Sequence, residues 1–155
     1  MRTIHQWLDE YDESHRNQTN KALHWICVPL IMLSLLGLLY PLSLPLEQND
    51  FPFQINGASV LMILAIVYYL LISWPLAIGM MIVSILMFIL LELLSGLSTP
   101  LWLISLIVFA LAWIGQFIGH QIEGKKPSFF KDVQFLLIGP LWLLAFIYRK
   151  LHIRF

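Results

Sequence analysis

Two groups of residues in this chain have the types and spacing to do chemistry. Gln116, His120 and Glu123 end a long apolar stretch, and at spacings of four and three they share one face of a helix. Gly124 and Pro127 then close that helix, glycine just past its end and proline shortly after. The second group, Tyr11, His15, Asn20 and His24, lies near the start of the chain. An amide, an imidazole and a carboxylate at the mouth of an apolar helix are costly to bury unless satisfied or used. A lone histidine there reads as a helix end snorkelling into water. With a second histidine cluster the same residues form a donor set for a transition metal with open positions. His15 and His24 are nine residues apart, which puts them on opposite faces of one continuous helix. Sharing a site requires a turn between them, and Arg16-Asn17-Gln18-Thr19-Asn20 supplies one.

The elements that must position these residues are hydrophobic. Of 155 residues, 59% are hydrophobic and 12% charged, which excludes an ordinary soluble domain. The chain reads as an all-α integral membrane protein forming a single membrane domain. It shows no internal repeat, low-complexity tract or nucleic-acid-binding patch. Its one cysteine, Cys27, lies in an apolar run and supports no disulfide framework.

Residues 1–16 are too acidic for a signal peptide. Ile4, Trp7, Leu8, Tyr11 and His15 recur at helical spacing, with Asp9, Glu10, Asp12 and Glu13 opposite. That pattern predicts an amphipathic helix on the membrane surface or against the bundle. Asn17 or Thr19 could cap the next helix. Spans are expected at about 24–42, 58–74, 76–95 and 101–122, each close to the ~20 residues that cross a bilayer, with a tight Ser73-Trp74-Pro75 turn joining the second and third. A polar loop at 43–57 carries Glu47, Asp50, Pro52 and Gly57, and a shorter loop covers 96–100. Ser128 could cap the segment after the fourth span. A last apolar helix at about 133–148, interrupted at Gly139-Pro140, is expected to be kinked or re-entrant.

Basic residues set the orientation. Arg2, Arg16 and Lys21 precede the first span, and Lys125, Lys126 and Lys131 come after the fourth. Neither loop on the other side has one, so the N-terminus is expected in the cytoplasm. If the last helix does not cross, Arg149, Lys150 and Arg154 join them and both termini are cytoplasmic. His24 then opens the first span and His120 closes the fourth at the same membrane face, with His15 just above. Glu92 lies roughly 25 Å away at ~1.5 Å per residue and reads as a carboxylate snorkelling outward. His5 and His152 have polar, terminal surroundings and read as solvated.

The run Tyr11-x3-His15-x4-Asn20-x3-His24-x4-Pro29, with Gln116-Phe117-Ile118-Gly119-His120-x2-Glu123-x3-Pro127 far downstream, resembles the 2-hydroxy fatty acid dioxygenase family. The resemblance covers essentially the whole chain. It implies a small multi-span membrane protein that uses Fe(II) and O₂ to remove one carbon from a 2-hydroxy fatty acid, as fungal members do in phytosphingosine breakdown. It also implies His15, His24 and His120 as metal ligands. Fungal relatives can have a second histidine directly after the first, where this chain has Arg16.

Residue chemistry agrees with that implication. Imidazole suits iron, and histidines plus a carboxylate with open positions occur in non-haem Fe(II) oxygenases, so Glu123 is a further candidate for the catalytic set. A 2-hydroxy acid can chelate through a carboxylate oxygen and its hydroxyl. Asn20 and Gln116, each four residues before a histidine, are placed to fix imidazole tautomers. Arg16, Lys125 or Lys126 could guide the acid headgroup. A desaturase or hydroxylase would need more histidines, in HxxxH and HxxHH clusters absent here. A zinc-dependent membrane hydrolase or isomerase could use the same ligands. A scaffold or transporter predicts no convergent histidines, and transporters place polar groups nearer the midplane.

Overall fold

The computed structural model describes residues 2–43 and 55–155. Most of the polar loop read at 43–57, including Glu47, Asp50 and Pro52, lies outside the described residues. Six helices make up the described fold, with no strand among the described residues: α1 (Ile4–Asp12), α2 (Gln18–Leu39), α3 (Gly57–Ile72), α4 (Trp74–Ser95), α5 (Leu101–Glu123) and α6 (Phe135–Lys150). A single 3-10 turn, Ser128–Phe130, joins α5 to α6.

Helix ends obey local chemistry. The Thr3 hydroxyl and Gln6 amide cap α1 reciprocally. The Asn17 side chain accepts from the backbone N–H groups of Thr19 and Asn20, so α2 starts at Gln18. His24 therefore lies more than a turn inside this helix rather than opening it. Gly124, at φ 71°, closes α5 in the left-handed conformation that glycine adopts without a steric penalty.

Three helices, α2, α4 and α5, are long and apolar enough to cross a membrane. Their outward faces carry large apolar side chains such as Ile26, Ile82, Leu93 and Leu111. That surface needs lipid rather than water, and it marks a membrane protein. Hydropathy alone predicts four spans, and α3 is the difference. Ser73 takes an extended conformation before Trp74-Pro75 and stops α3 at 16 residues. At ~1.5 Å per residue that is about 24 Å, short of a ~30 Å hydrocarbon layer.

The closest pairing is α2 with α5, while α3 packs on α4 and α1 on α6. Small residues allow the first of these. A β-carbon at Gly115 would meet the Cys27 sulfur, one at Gly119 the Asn20 amide oxygen, and one at Gly37 the Ser105 hydroxyl. The apolar stripe of α1, Ile4, Trp7, Leu8 and Tyr11, is buried. It packs against α6, with Trp7 edge-on to Phe135 at 5.1 Å and Tyr11 at 5.5 Å from Trp142.

The last helix continues through Pro140 and is buried from Ile138 to Ala145. Its partners locate it. The Tyr68 hydroxyl donates to the Gln134 side chain, the Tyr69 hydroxyl to the Leu137 carbonyl and the Tyr148 hydroxyl to the Pro75 carbonyl, each at 3.0 Å. All three tyrosine contacts fall near the α3–α4 turn, the end of the bundle where α2 begins and α5 finishes. From there α6 covers the histidines.

Candidate metal centre

Three imidazoles from three parts of the fold meet beneath α6. His15 sits in the turn between α1 and α2, His24 within α2, and His120 in the last turn of α5. All three are buried, His15 completely. One ring nitrogen of each lies within 4.8 Å of the others. The rings are mutually steep, with His24 and His120 at 89° and centroids 4.9 Å apart.

Backbone carbonyls settle two of the tautomers. His15 Nδ1–H donates to the Tyr11 carbonyl at 2.6 Å, and His24 Nδ1–H to the Asn20 carbonyl at 2.9 Å. A carbonyl only accepts, so the proton of each neutral ring is on Nδ1 and its Nε2 carries a lone pair. Those two Nε2 atoms stand 2.9 Å apart. Burial holds the His15 pKa down to about 4 despite the Tyr11 hydrogen bond, with the other charged groups acting less strongly. With Nδ1–H on both rings, two Nε2 atoms at hydrogen-bond distance share either a proton or a cation. His120 Nδ1 is buried and has no hydrogen-bond partner among the described residues. The donor set fits a transition metal.

Around the imidazoles, α5 is tied to the α1–α2 turn. The Glu123 carboxylate accepts from the backbone N–H of Arg16 at 2.9 Å and of Asn17 at 2.8 Å, and from Asn20 Nδ2 at 3.1 Å. Asn20 Nδ2 also donates to the Ser14 carbonyl at 3.1 Å. Glu123 thus holds the start of α2 against the end of α5, and it is not among the atoms that converge. Asn20 orients His24 through its carbonyl rather than its side chain. Gln116 is buried beside His120 and makes no hydrogen bond to its ring. The hydroxyls of Ser14 and Ser128 join at 2.6 Å, and the Ser14 hydroxyl lies 3.2 Å from His15 Nδ1. Nothing in the sequence pairs two serines 114 positions apart.

A cavity of about 60 Å³ runs inward from His24 and His120, walled by Val28, Met32, Trp113 and Phe129 among others. The Trp113 indole N–H is buried without an acceptor, an arrangement that costs ~1–3 kcal/mol. Lys125 and Lys126 line an adjoining open groove of about 440 Å³ that shares Ser128 with this cavity, and Lys125 Nζ donates to the Glu13 carbonyl at 2.7 Å. Arg16 is exposed. Glu92, far from the histidines, accepts a hydrogen bond from the Tyr40 hydroxyl. His5 and His152 are exposed, His5 with its ring 5.6 Å from Phe155.

Apolar helices around a buried three-histidine cluster define a membrane protein with a candidate metal centre. The family described as 2-hydroxy-palmitic acid dioxygenase Mpo1-like matches residues 1–151, and the chain belongs to it. No curated protein and no solved structure matches the chain.

Proposed function

We propose that this protein is an Fe(II)-dependent dioxygenase that removes one carbon from 2-hydroxy fatty acids. The observation that carries the reading is the meeting of three buried imidazoles, two with Nε2 atoms 2.9 Å apart. His15, His24 and His120 hold the ion, the Tyr11 and Asn20 carbonyls keep two of the rings in register, and Glu123 keeps α5 on the α1–α2 turn. Iron, when bound, supplies activation of O₂. The overall change balances without a further reductant: one 2-hydroxy acid and one O₂ give the acid one carbon shorter, CO₂ and water. Oxygen takes up the four electrons lost in cleaving the bond between carbons one and two.

The apolar cavity suits the start of the acyl chain, whose burial contributes ~0.8 kcal/mol per methylene. Metal analysis of purified protein, with O₂ uptake in the presence of a 2-hydroxy fatty acid, tests the reading. Equimolar O₂, CO₂ and shortened acid are expected with iron bound. Zinc with ester cleavage instead, or no metal at all, overturns it.

Both termini are assigned to the cytoplasm. The support is that both ends of α6 bond near the α3–α4 turn, at the histidine end, which keeps Arg149, Lys150 and Arg154 with the other basic residues. A C-terminal reporter active only outside the membrane would refute this.

A further inference from the structure

Trp113, Gln116 and His120 stand at i, i+3 and i+7 on α5, so they share one face, and all three line the apolar cavity. No lysine or arginine lines it. The basic groove of Lys125, Lys126 and Lys131 adjoins it at Ser128, which lines both. On the proposed function, a 2-hydroxy acid brings into this cavity a carboxylate with about four lone-pair sites. An ion at the histidines meets only part of them, and the rest need donors, because a buried carboxylate oxygen without one is costly.

Few donors are free to meet them. The Trp113 Nε1–H is buried with no acceptor, while the Gln116 amide and the Tyr11 hydroxyl, which also line the cavity, make no hydrogen bond to another described residue. The other unpartnered buried atoms belong to Asn20, Asn56, Ser73 and His120; the first three residues do not line this cavity, and the fourth belongs to the metal centre. We infer that the Trp113 indole N–H, with the Gln116 amide, receives the substrate carboxylate and selects acids over neutral lipids. This rests on the functional reading above. The ion answers the acid's charge, and the indole answers its geometry, since an indole donates and never accepts. No lysine needs to be desolvated within the apolar wall, which agrees with the lysines being in the other groove.

Trp113→Phe keeps an aromatic ring and deletes only the donor. The experiment uses iron-loaded wild type and variant in detergent, with 2-hydroxyhexadecanoic acid and hexadecan-2-ol, which lacks the carboxylate. The variant is expected to bind the acid about tenfold more weakly, as loss of a hydrogen bond to a charged group predicts, and to bind the alcohol as wild type does. The indole N–H Raman band assigned by subtracting the variant is expected to shift when wild type binds the acid and to stay put with the alcohol. Gln116→Leu is the second variant and should show the same split between ligands. Equal weakening for both ligands, or unchanged affinity for the acid in both variants, overturns the inference. Turnover of the acid by wild type alongside unchanged acid affinity in the variants sinks this inference and leaves the functional reading standing. A wild type that neither binds nor turns over the acid sinks both.

Discussion

His15 Nε2 and His24 Nε2 stand 2.9 Å apart, each on a ring whose Nδ1–H donates to the backbone carbonyl four residues earlier. The same short-range device, used in a turn and in a helix, aims two Nε2 atoms at one point. Those carbonyls do for the centre what outer partners do in metal sites, fixing tautomer and ring plane.

Replacing any of the three histidines tests that point directly. His15→Ala, His24→Ala and His120→Ala are each expected to lose metal and one-carbon shortening together. The loss should exceed the ~10–100-fold that removing an outer partner costs. Metal content per chain and product analysis check it, with His5→Ala and His152→Ala expected to match wild type. Full metal content in all three cluster variants would refute the centre.

Glu123→Gln separates a ligand from a support. Its carboxylate accepts three N–H bonds at the α1–α2 turn. An amide would turn one oxygen into a donor facing donors. The variant is expected to lose ~1–3 kcal/mol of stability and part of its activity while still binding the metal. Thermal melts alongside metal titration read the two effects apart. A variant that melts like wild type but takes up no metal would make Glu123 a ligand.

Gly119 sets the spacing of two helices that carry ligands. A β-carbon there collides with the Asn20 amide oxygen, and Asn20 also orients His24 and binds Glu123. Gly119→Val is expected to push α2 from α5, cost ~1–3 kcal/mol and weaken metal binding. Gly96→Val, in open surroundings, is the control. Equal melting temperatures and metal affinities for the two variants would count against this packing argument.

Acid should weaken the metal-free fold. Burial lowers the His15 pKa to about 4 in the folded chain, below the usual 6.5. The unfolded chain therefore binds the extra proton first. Stability from this group is fully present above pH ~6.5 and is lost as pH falls toward 4, on the order of 3 kcal/mol in all. Melting temperature against pH, measured on metal-free protein, should be level above that window and fall within it. A melting temperature that rises on acidification through the same window would show that His15 is protonated in the fold.

Much of this fold is legible from spacing and hydropathy. The long apolar runs, the cap at Asn17, the glycine stop at Gly124 and the two histidine groups are all local patterns, set within one or two helical turns. The turn at Ser73-Trp74-Pro75 is local too: Ser73 is extended and Pro75 sits in the first turn of α4, where a missing N–H costs nothing. Periodicity cannot show whether the stripe of α1 meets lipid or protein, since either buries the same residues.

The sequence by itself determined the class of protein, the helices and the identity of the three imidazoles. Only the tertiary structure decided what surrounds them. Glu123 lies three residues from His120 yet bonds to Arg16, Asn17 and Asn20, more than 100 positions away. Ser14 meets Ser128, and Trp113 is left with a buried N–H and no acceptor. Spacing along a helix reports which side chains share a face. It cannot report which face of another element comes to meet them, because that depends on how closely small residues such as Gly115 and Gly119 let two helices approach.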